Sequence, residues 1–137
     1  MQGACLCGAV QIEAATFTPK LSACHCDMCR RWSGSVLFGF AAPADAVTVE
    51  GPARLYPSSS FADRAWCGEC GTHLWLRDHD GDYEFLPGLF DDARSFPLVR
   101  EVYADRAFAG CRLAGEHQRV TRAEYEADHP FVEGDAR

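Results

Sequence analysis

Lysine is almost missing from this sequence: Lys20 stands alone among 13 basic residues, against 20 Asp and Glu. The resulting net charge of −7 provides no basic field for a phosphate backbone, so no nucleic-acid partner is expected. Long apolar runs are lacking too. No stretch approaches the roughly 18 residues that a membrane span needs, and no membrane partner is expected. The opening residues, Met1-Gln2-Gly3-Ala4-Cys5-Leu6-Cys7-Gly8, carry neither the basic nor the apolar region of a signal peptide, so a cytoplasmic location is expected. Repeats, low-complexity tracts and linkers are also missing. With 137 residues, 47% apolar and 24% charged, the chain is expected to form one β-rich domain over residues 1–137.

Cysteine, by contrast, is abundant, and the eight cysteines are grouped. Cys5 and Cys7 form a CxC, Cys24, Cys26 and Cys29 a CxCxxC, and Cys67 and Cys70 a CxxC; Cys111 stands apart. In a reducing compartment such groups hold metal more often than disulfides. A CxC on a strand presents both sulfurs to one face, and a CxxC turn does the same from a loop. Two such half-sites supply the four thiolates of a tetrahedral zinc, at about 2.3 Å each. Cys5/Cys7 can join Cys67/Cys70, leaving the central three with an open position; alternatively, the central group can take Cys67 or Cys70. Spacing alone leaves both arrangements open.

Trp66-Cys67-Gly68-Glu69-Cys70 has the form of a thioredoxin-type redox motif, which works at the start of a helix. Here Gly71 follows, then Thr72 to Arg77 alternates as a strand does, so that mechanism is missing. Asp78 to Asp82 reads as a solvated turn rather than a calcium loop. Strands are predicted over 9–14, 21–24, 35–41, 47–50, 54–56, 62–66 and 99–103, with a hairpin joining 74–77 to 83–86. Met28 to Trp32 should make a helical turn ended by Gly34. Thr121 and Glu124 form a capping box that opens a helix to about Asp128, where Pro130 stops it. Trp32, Trp66, Trp75 and the nine Phe are expected in the core.

Taken in order, four blocks resemble the glutathione-dependent formaldehyde-activating enzyme family. They are Gly3 to Val10; Cys24 to Arg31 followed by Gly34-Ser35; Tyr56 to Ser59 with Arg64 leading into Cys67 to Leu74; and Pro87 to Asp92. The resemblance spans Gly3 to Asp105 and implies a mainly β, Mss4-like fold with two zinc sites. It implies that Cys5, Cys7, Cys67 and Cys70 close a structural zinc. Cys24, Cys26 and Cys29 would hold a catalytic zinc, the more easily lost of the two. The implied activity joins glutathione and formaldehyde as S-hydroxymethylglutathione, a carbon–sulfur lyase reaction in reverse. The alternative is a zinc-stabilised binding module without turnover.

Glutathione carries two carboxylates, for which Arg30, Arg31 and Arg64 are the candidate partners. His25, between two ligands, is a candidate proton shuttle, although an extended segment would turn it away from them. His73 is expected to pack or to support the first knuckle, and Cys111 to be a plain buried thiol.

Overall fold

The computed structural model describes residues 1–131, which form two compact units. The first comprises Met1–Lys20 and Gly39–Phe96. Its first sheet is antiparallel, in the order β1 (Gln2–Ala4), β2 (Gln11–Ala14) and, after the intervening strands β3 (Leu21–Cys24) and β4 (Leu37–Ala42), β5 (Val47–Glu50). In β2 the exposed Gln11 and Glu13 alternate with the buried Ile12 and Ala14, the period-2 pattern of a strand with one face on the core.

β6 (Ala53–Pro57), β7 (Ala62–Cys67), β8 (His73–Asp78) and β9 (Tyr83–Phe85) form an antiparallel succession, and β9 pairs with β4. Phe40, Phe85 and Phe90 fill the core of this unit, their ring centroids 5.2–6.0 Å apart in mostly edge-to-face geometry. Gly3 makes room for them: a Cβ there would lie 2.5 Å from the Phe90 ring. At Gly51, with φ +104°, a Cβ would lie 2.0 Å from the Ala9 carbonyl oxygen. Glycine alone suits that position.

The second unit comprises Leu21–Phe38 and the chain from Pro97 onward. β3 runs parallel to β10 (Leu98–Val102), and β10 parallel to β11 (Gln118–Val120). Two short helices flank them in sequence, α1 (Asp27–Ser33) and α2 (Arg122–Asp128). α1 ends where predicted: Gly34 adopts a left-handed conformation and its N–H returns to the Arg30 carbonyl at 2.9 Å. α2 carries the predicted capping box, Thr121 accepting from the Glu124 N–H and Glu124 from the Thr121 N–H.

The architecture is mainly β, as expected, with three corrections. The CxC is not on a strand. β1 stops at Ala4, and Cys5 to Gly8 forms a turn closed by the Gly8 N–H on the Cys5 carbonyl, with Gly8 at φ +77°. β1 and β11 go unmarked in the sequence because three residues are too few to show a period. Not every Phe is core: Phe61, Phe108 and Phe131 are about half exposed. Among the described residues no helix is long and apolar enough to cross a membrane.

Candidate metal and active sites

Two turns build the first cysteine group. In one, Cys5 and Cys7 flank Leu6; in the other, Gly71 at φ +75° closes Cys67 to Cys70 through its N–H on the Cys67 carbonyl at 2.9 Å. The strand β8 follows, not a helix, which removes the redox reading. All four sulfurs lie within 4.8 Å of one another, with Cys5–Cys7 at 3.6 Å and Cys7–Cys67 at 3.9 Å. Bonds of 2.3 Å in a tetrahedron require sulfurs about 3.8 Å apart, so the quartet has the spacing of a closed zinc site. The first of the two pairings is therefore the one the fold assembles.

The surrounding donors favour thiolates at Cys5 and Cys70. The Val10 N–H points at Cys5 Sγ at 3.2 Å. Thr72 joins the two turns: its Oγ1 accepts the Leu6 N–H at 3.1 Å and lies 3.1 Å from Cys70 Sγ. The Thr72 hydroxyl, then the Thr72 and Cys7 N–H groups, bring the Cys70 thiol down to about 5. At Cys7 the Ala9 N–H favours the thiolate, but the crowding sulfurs of Cys70 and Cys5 prevail and hold it up at about 12. Four thiolates this close repel one another unless a cation sits among them. That chemistry suits a divalent ion.

The second group is set by the junction of β3 and α1. Cys24 ends β3, opposite Val102 of β10. Cys26 is the N-cap of α1, its sulfur accepting the Cys29 N–H at 3.4 Å where serine or aspartate usually serves. Cys29 follows in the first turn, buried. The three sulfurs lie within 4.8 Å of one another. The thiols of Cys26 and Cys29, together with burial, push Cys24 far above its ordinary value. Three protein sulfurs on a metal that prefers four ligands leave one position open. Cys111 belongs to neither group and is half-buried rather than buried.

His25 engages a carboxylate and is not part of the sulfur group. Its ring is buried, with Nε2 2.7 Å from Glu101 Oε1, while its backbone N–H bonds the Val102 carbonyl. The same carboxylate holds His117 Nε2 and, at 3.2 Å, Arg119 Nε. This network fixes the residue between two candidate ligands. Only His25 of the four is marked by the cysteine motif; the others become partners through the parallel pairing of β3, β10 and β11.

A pocket of about 230 Å³ opens beside Cys26, lined by Cys26, Asp27, Tyr103, Arg106, Arg122 and Glu126 among others. Tyr103 adopts a left-handed conformation, φ +54°, unusual for a residue with a side chain. Burial, followed by the Glu126 carboxylate that its hydroxyl donates to, raises its phenol well above the ordinary value. Of the arginines singled out in the sequence, Arg30 pairs with Asp27 at 3.2 Å and lies over the Phe108 ring, Arg31 is exposed, and Arg64 is buried in β7 of the other unit. The arginines lining the pocket are Arg106 and Arg122. Their positions in the sequence, far from the CxCxxC, give no sign of it. His73 starts β8, half-buried, its imidazole pushed down by burial and by the charge of Arg64.

A Rhodobacter sphaeroides protein of known crystal structure shares the fold, with a TM-score of 0.56 at 22% identity over 72% of this chain and 100% of its own. An uncharacterised lyase of Schizosaccharomyces pombe is 40% identical over 107 residues, 76% of this chain and 78% of that protein. The sequence profile described as glutathione-dependent formaldehyde-activating enzyme matches residues 1–106. Both cysteine groups and most of the pocket's lining fall within that span, and the chain belongs to the glutathione-dependent formaldehyde-activating enzyme family.

Proposed function

We propose that this protein is a zinc-dependent carbon–sulfur lyase acting on a thiol–aldehyde adduct, with glutathione and formaldehyde as the pair that its family suggests. The observation that carries the reading is the three-sulfur group with a pocket against Cys26. A four-sulfur group elsewhere in the chain gives a metal a purely structural place, so the incomplete group is the one available to a substrate. A zinc ion held by Cys24, Cys26 and Cys29 would supply a site that stabilises a thiolate and polarises an aldehyde carbonyl.

The chain's own residues supply the rest. Glu101, through His25, fixes the stretch from Cys24 to Cys26. Cys26, as helix cap, fixes its own sulfur against the Cys29 N–H. The Tyr103 phenol, kept protonated, donates to Glu126 and fixes that carboxylate in the pocket wall beside Cys26. Glutathione and formaldehyde together contain every atom of the product: the thiol proton leaves sulfur, the new bond joins sulfur to carbon, and a proton arrives on oxygen.

Exchange NMR of a glutathione and formaldehyde mixture tests the reading. Catalytic protein should broaden the adduct resonances, and a Cys26→Ser variant should not. Equal exchange with wild type, variant and buffer would overturn it and favour a binding module.

A further inference from the structure

The pocket beside Cys26 has a charge arrangement that the cysteine chemistry does not need. Two arginines and two carboxylates line it, and each cation is paired with one anion. Arg106 Nη2 donates to both oxygens of Asp27, at 3.1 and 3.3 Å. Arg122 Nε donates to Glu126 Oε1 at 3.0 Å, and the Tyr103 hydroxyl donates to that same oxygen at 3.1 Å. Both bonds to Glu126 thus fall on one oxygen. Among the described residues Oε2 accepts none, and the terminal nitrogens of Arg122 donate none. One open acceptor and one open donor fork therefore sit side by side, four residues apart on α2.

A bare anion placed here would face two carboxylates, and a bare cation two guanidinium groups. A group bearing both charges satisfies both. The volume points the same way: about 230 Å³ is less than the roughly 300 Å³ at which drug-sized sites begin, so it suits one end of a peptide rather than a whole one. Arg122 and Glu126 also lie beyond residues 1–106, the span shared with the family. This wall is a feature of the chain's own C-terminal helix.

We infer that α2 holds the amino-acid end of the thiol substrate, Glu126 accepting from its ammonium and Arg122 donating to its carboxylate, while the sulfur lies toward Cys26. The inference rests on the lyase reading for the identity of the ligand as a thiol. Within that reading it assigns specificity: thiols with a free amino and carboxylate group on one carbon are selected over simple thiols. The γ-glutamyl end of glutathione has that form. Arg122 and Glu126 act in binding and positioning, and neither is given a role at the reacting atoms.

The test uses S-methylglutathione, which retains the amino-acid end but has no thiol to ionise or to add to an aldehyde. Calorimetric titration of the zinc-loaded protein should show binding that weakens about tenfold or more in Arg122→Gln and in Glu126→Gln, as expected when a charge-assisted hydrogen bond is lost. The des-amino analogue should bind wild type correspondingly weakly, and Glu126→Gln should no longer distinguish the two probes. Both substitutions leave the Thr121–Glu124 cap in place, and an unchanged melting curve confirms that α2 persists. Binding that is absent from wild type, or unmoved in both variants, overturns the inference even where formaldehyde exchange is catalysed. Arg122-dependent binding without catalysed exchange keeps this site and overturns the lyase reading instead.

Discussion

The ring of His25 meets the carboxylate of Glu101 at 2.7 Å across 76 residues of sequence. Because His25 lies between Cys24 and Cys26, this bond ties the three-cysteine group to the interior strand β10. Glu101 is itself buried, and His117 and Arg119 share its other oxygen.

Replacing Glu101 by Gln should cost about 3 kcal/mol, as expected for a buried ion network that loses one partner. Chemical denaturation at pH 7 measures it. Burial opposes ionisation of Glu101, but the hydrogen bonds from His117 and His25 outweigh it and hold its carboxyl below the ordinary value. Its charge therefore adds stability above the unfolded value of about 4.3, and that stability is lost as pH falls through the lower folded value. The gap between wild type and Glu101→Gln should accordingly narrow in acid. A gap that stays constant with pH would show that the carboxylate's charge plays no part.

Thr72 should matter to metal retention rather than to the core. Its hydroxyl serves Cys70 and receives the Leu6 N–H, so Thr72→Val removes one donor from a thiolate and one acceptor from a backbone amide. Loss of such an outer partner typically lowers metal affinity about 10–100-fold. Competition with a chromophoric chelator reads this directly; unchanged affinity would mean that the hydroxyl is dispensable.

Gly51 should be intolerant of any side chain. A Cβ at φ +104° meets the Ala9 carbonyl oxygen at 2.0 Å, and the adjacent Val10 N–H is the donor to Cys5. Gly51→Ala should destabilise the protein by about 2–4 kcal/mol, the range of backbone clashes combined with left-handed strain. It should also weaken zinc binding at the quartet. Thermal unfolding with and without added zinc measures both.

Much of this was legible in the residues. The capping box at Thr121 and Glu124, the Gly34 stop and the strand at 47–50 each follow from local rules, and the structure has them in place. The division of seven cysteines into four and three followed only once the family resemblance was added, since spacing allows more than one pairing. The pocket was not legible. Arg106, Arg122 and Glu126 look like ordinary helix and turn charges, and they converge only because α2 returns to Tyr103 and Asp105. The Glu101 network was hidden for the same reason: parallel strands bring together residues that no local pattern links.

The separation of labour between the two cysteine groups is tested most directly by following formaldehyde–glutathione exchange as zinc is added stepwise to metal-free, reduced protein. Four ligands bind more tightly than three, so the first equivalent should restore the cooperative melting transition without exchange, and catalysis should rise only with the second. Catalysis that rises fully with the first equivalent, or never rises, would contradict the account.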